Sequence, residues 1–80
     1  MTLNELPEAI SAIADGIRSS RNRPALLLAE ADSQLRRLPI PASARLDETC
    51  AALGGGSKVL AVEALLRLAI WVEGYIAAKS

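Results

Sequence analysis

Apolar residues near the start of the chain recur at helical spacing: Leu6, Ile10, Ile13 and Ile17, separated by four, three and four. That narrow stripe is what one helix offers another, and it predicts a helix over about 5–20. Asn4 is placed to cap it, with Pro7 in a first turn that needs no backbone donor. Glu5 and Glu8 fall at the positive end of its dipole, and Arg18 and Arg21 at the negative end. A polar turn through Ser19, Ser20, Arg21, Asn22 and Arg23 follows. Asn22 then caps a second helix of about 23–37, with Pro24 in its first turn. Leu27, Leu28, Ala31, Leu35 and Leu38 mark its inward side. Pro39-Ile40-Pro41 stops it, because proline disfavours helical geometry in the residue before it.

A short third helix, about 42–53, carries Leu46, Cys50 and Leu53 on one side with Thr49 alongside. Gly54-Gly55-Gly56 ends it, since glycine accepts the left-handed conformation that closes a helix. Ser57 caps the fourth and longest helix, about 58–78, which is roughly 30 Å long at 1.5 Å per residue. Its pattern differs from the others. Ala61, Leu65, Leu68, Ala69, Val72 and Ile76 centre the inward face. Leu60, Trp71 and Tyr75 extend the apolar arc on one flank, and Val62 and Leu66 on the other. Only Glu63 and Arg67, with Ile70 and Gly74 beside them, form a thin polar seam. A helix apolar around most of its circumference must be covered from more than one side.

This helix is long enough to span a bilayer, but Glu63, Arg67 and Glu73 lie within it. A mid-helix charge costs about 2.5–3.5 kcal/mol in hydrocarbon, and Trp71 and Tyr75 sit away from the ends. The pattern therefore predicts a soluble core helix. Composition agrees with an all-α fold: 51% of residues are hydrophobic, yet there is one Trp, one Tyr and no Phe. Ala and Leu, strong helix formers, dominate. Met1-Thr2-Leu3-Asn4-Glu5 has neither a basic start nor a long apolar run, so it does not read as a signal peptide. With a lone thiol, this points to the cytoplasm.

Chemistry-bearing patterns are sparse. The chain has no histidine and a single cysteine, so neither an internal disulfide nor a dedicated metal site is expected, and no cofactor. The acidic pairs Glu30/Asp32 and Asp47/Glu48 do not share a helix face as a catalytic dyad requires. Cys50 lies on the apolar side of its helix and reads as a small core residue rather than a nucleophile. Gly54-Gly55-Gly56-Ser57-Lys58 resembles a phosphate loop only superficially, since its glycine spacing is wrong and a helix rather than a strand precedes it. An enzyme is not expected. Nine basic residues balance nine acidic ones, so no overall field draws the chain to nucleic acid. Arg18, Arg21 and Arg23 around the first turn are the residues that would carry nucleic-acid contact as the alternative function.

Eighty residues are near the lower limit for a self-sufficient core. The expectation is one helical domain spanning 1–80, a helical hairpin or irregular bundle of three to four helices, completed by oligomerisation. The long C-terminal helix is its spine, with the second and third helices packed on it and the first docking or swapping with a neighbour. The expected function is protein–protein interaction, as an adaptor, secretion-type chaperone or stoichiometric inhibitor. Its partner would be a second copy or a larger target protein, and a homodimer is the preferred assembly. The expected interface comprises Ile10, Ile13, Ile17, Leu65, Leu68, Trp71, Val72, Tyr75 and Ile76. Ile70 and Gly74 offer a second place for close helix approach.

Overall fold

The computed structural model describes residues 2–21 and 23–79. Among them every regular element is helical: a 3-10 turn at Leu3–Glu5, then α1 (Leu6–Ser19), α2 (Pro24–Arg36), α3 (Ala44–Gly54) and α4 (Lys58–Lys79). No helix is long and apolar enough to cross a membrane.

The breakers act largely where the sequence places them. Pro39 sits in a tight turn in which the Ile40 N–H donates to the Leu38 carbonyl at 2.8 Å, a geometry that suits its fixed backbone angle. The Ser43 hydroxyl accepts from the Leu46 N–H at 3.3 Å, so α3 begins at Ala44 rather than at 42. At the other end of α3 the Gly55 N–H donates to the Ala52 carbonyl at 3.1 Å. Gly56 then adopts φ +80°, which costs a residue with a Cβ about 1–2 kcal/mol. The Ser57 hydroxyl accepts from the Leu60 N–H at 3.4 Å, starting α4.

The N-terminal cap is different. Asn4 does not cap α1, because the chain is already coiled there. The Glu5 N–H donates to the Thr2 carbonyl at 3.1 Å, and Glu5 itself has helical angles. The extended residue is Thr2, ahead of the 3-10 turn, and its side chain makes no cap bond. The expected cap at Asn22 lies outside the described residues.

The four helices form a ring in which each packs on its chain neighbours and α1 closes against α4. Neighbouring helices run antiparallel. Lys58, at the start of α4, donates from Nζ to the carbonyl of Ser20, just past the end of α1, at 2.9 Å. At the opposite end Asn4, Pro7 and Glu8 line a cleft with Glu73 and Ile76 of α4. α3 packs on α4 as the sequence predicts, but the expected places of α1 and α2 need correcting. α1 is the principal companion of α4, and α2 sits diagonally across, packed mainly on α1 and α3. The reason is geometric. The α1 stripe of Leu6, Ile10, Ala14 and Ile17 is fully buried, and only α4 has a facing apolar surface of that length. α2, with Leu28, Ala31 and Leu35 buried, closes the far side.

One core results, with Leu6, Ile10, Ile17, Leu35, Leu65, Leu68 and Val72 its largest enclosed side chains. Each such burial contributes roughly 1.5–3 kcal/mol. Thr49 is the buried polar residue. Its hydroxyl donates to the Arg45 carbonyl at 2.8 Å, so it carries no unmet hydrogen bond into the core.

Candidate docking face on the last helix

The core accounts for much of the surface that the sequence assigned to a partner. Ile10, Ile17, Leu65, Leu68 and Val72 are enclosed within one chain, so they are not free to meet another molecule. The apolar periodicity that suggested an interface is satisfied internally by α1 against α4. Ile13, Trp71, Tyr75 and Ile76 are half-buried at the rim. Trp71 and Tyr75 stack on each other, with ring centroids 5.5 Å apart and planes at 30°. The Lys79 ammonium lies 5.4 Å from the Tyr75 ring centroid, within cation–π range. These rim aromatics are engaged in part with their own helix.

What α4 leaves uncovered lies on its other side. Of five exposed large apolar residues, three belong to this helix: Val59 at 71% exposure, Leu60 at 58% and Ile70 at 68%. The other two, Leu3 and Leu26, stand alone on different elements, and scattered exposed leucines are ordinary. Leu66, half-buried, stands one helical turn from Ile70. Glu63 and Arg67 sit among these residues, and among the described residues neither makes an ion pair or a side-chain hydrogen bond, although they are four residues apart. Leu60, Glu63 and Arg67 also form one wall of a groove whose other wall is α3, through Arg45, Glu48 and Ala52. Arg45 and Glu48 pair at 3.7 Å. The result is an apolar, charge-bearing ridge beside a groove, at the place where the sequence showed only a thin polar seam.

The other candidates are distributed differently. Arg18, Arg21 and Arg23 gather at the α1–α2 end, where Arg18 lies 3.8 Å from Asp15. Lys58, the nearest further cation, is held by the Ser20 carbonyl. That same contact gives the lysine of the glycine-rich turn a structural task, tying the start of α4 to the end of α1. Cys50 is a half-buried free thiol between α2 and α3. Burial pushes its pKa up; Arg36 opposes this, while Asp32 and Asp47 add to it. Arg36 itself donates from Nε to Asp32 at 2.8 Å. No group of three or more His, Cys, Asp or Glu among the described residues is arranged to hold a metal ion.

Comparison of the chain with protein-family models, curated proteins and solved structures found no match. The reading of the ridge therefore stands on its geometry.

Proposed function

We propose that this chain is a non-enzymatic protein-interaction module, of the adaptor, chaperone-like or regulatory kind, whose docking face is the outer side of α4. The observation that carries the reading is the exposure of Val59, Leu60 and Ile70 on a helix whose inward face already fills the core. An exposed apolar ridge bordered by opposite charges suits protein recognition, since apolar area gives attraction and charge gives orientation. The partner is a protein, either a second copy or a larger target, and a cytoplasmic setting fits the free thiol. Support for the non-enzymatic part comes from the lack of histidine and from a Cys50 thiol whose pKa burial raises, away from a reactive thiolate. The alternative, nucleic-acid contact through Arg18, Arg21 and Arg23, has less behind it, because the charge is confined to one turn and partly paired with Asp15.

The test is a pair of variants, Leu60→Lys and Ile70→Lys. Both should keep the parent's helical circular dichroism and, at concentrations where the parent is monomeric, its unfolding midpoint, while losing association with protein, whether self-association or specific capture from the native extract. Unchanged association in both variants would remove the docking face. A salt-sensitive shift of DNA or RNA abolished by Arg21→Ala with Arg23→Ala would favour the alternative instead.

A further inference from the structure

The outer ridge of α4 has an internal symmetry that selects its occupant. At 100° per residue, Leu60, Glu63, Arg67 and Ile70 fall within an arc of about 80° on the side opposite the core. Leu60 and Ile70 are the exposed apolar pair, and Glu63 and Arg67 a charged pair that makes no ion pair among the described residues. Both pairs are centred on the same position, residue 65. A two-fold axis perpendicular to α4 at that level would therefore bring each residue of a pair level with the other member of that pair on the second copy.

Resting on the docking face proposed above, we propose that the occupant is a second copy of this chain, packed antiparallel along α4 about a two-fold axis at the level of Leu65. In that register Leu60 meets Ile70 of the second copy and Glu63 meets Arg67 of the second copy, each contact occurring twice. The inner two layers are ion pairs and the outer two are apolar, so the ridge is complementary to itself. A parallel pairing would set Glu63 against Glu63 and Arg67 against Arg67, and the like charges exclude it. Attraction comes from the apolar layers and from Val59 and Leu66 beside them. The charges fix direction and register, which is the usual use of polar groups at a helix seam. Gly74, where an added Cβ would meet nothing within 4 Å, falls opposite the glycine turn of the second copy. No side chain then holds the backbones apart.

The experiment is sedimentation equilibrium of the full chain from micromolar to millimolar concentration, with thermal unfolding to confirm that each variant folds. The parent should dimerise. Glu63→Arg and Arg67→Glu should each weaken the dimer by about a hundredfold, because each creates two like-charge contacts. The swap carrying both substitutions should dimerise like the parent. Mixing the two single variants should give a heterodimer, because each supplies the charge the other lacks. A parent that stays monomeric throughout overturns the proposal, as does a dimer indifferent to the single reversals. Single reversals that weaken the dimer without rescue in the swap or the mixture overturn the register. If Leu60→Lys and Ile70→Lys still abolish association in that case, the docking face survives its loss. If they too are silent, both readings fall together.

Discussion

α1 and α4 are partners in the same contact, yet they divide their surfaces in opposite ways. α1 carries one apolar stripe, buries it completely against α4, and presents Glu8, Asp15 and Arg18 to solvent. α4 buries Ala61, Leu65, Leu68, Ala69 and Val72 and still shows Val59, Leu60 and Ile70 on its far side. A helix whose only task is to complete a core has no need of a second apolar face. Surplus on one helix and none on its partner separates what the fold requires from what the proposed docking face would use.

The sharpest way to break this contrast is to place the same substitution on the two sides of α4. Leu65→Asp should abolish folding, because it buries an unpaired carboxylate in the centre of the core. Ile70→Asp should change the stability of the monomer by no more than about 0.5 kcal/mol, both read by urea unfolding at concentrations too low for association. Equal losses would show that the outer face is structural. Ile10→Ala on α1 should cost about 2–5 kcal/mol, with no exposed counterpart on that helix to compare. Next in size is the joint that lets α4 fold back. Gly56→Ala should cost about 1–2 kcal/mol through its positive φ. Ser57→Ala should cost about 1 kcal/mol through the lost cap.

The smallest effect concerns the α2–α3 side. The raised Cys50 pKa means that the folded state holds the thiol proton more tightly than the unfolded chain. Its contribution to stability is fully present below the ordinary thiol range and is lost as pH rises through the higher folded value. Denaturation series at rising alkaline pH should show that decline, and Cys50→Ala should not share it.

Much of this fold can be read directly from residue spacing. The four segments, their proline and glycine boundaries, and the inward faces of α2 and α4 follow from helical periodicity, because each depends on local chemistry. Asn4 was misread since a cap requires an extended residue, and the 3-10 turn ahead of α1 is set by backbone bonds that no side chain announces. Several residues expected at an interface lie in the core for a related reason. Periodicity identifies Leu65, Leu68 and Val72 as residues to be covered, but it does not distinguish cover by α1 from cover by another molecule. Ile70 and Leu60 are single apolar residues at the edge of a polar seam, and only the packed ring shows that both stay largely exposed.

The pairing of α1 with α4 also bears on how the molecule is made. Leu6 and Ile10 lie some tens of residues from the α4 positions that enclose them, and contacts so distant in sequence form late and slowly. As the chain is made, α2 can reach Ile13 and Ile17 early, but the rest of the α1 stripe lacks its principal cover until α4 follows. The hydroxyl-capped glycine turn and the Lys58 grip on Ser20 are then the features that bring the latecomer back alongside. A nascent chain halted before that point would carry an unsheltered stripe, a state prone to aggregation or to capture by folding helpers.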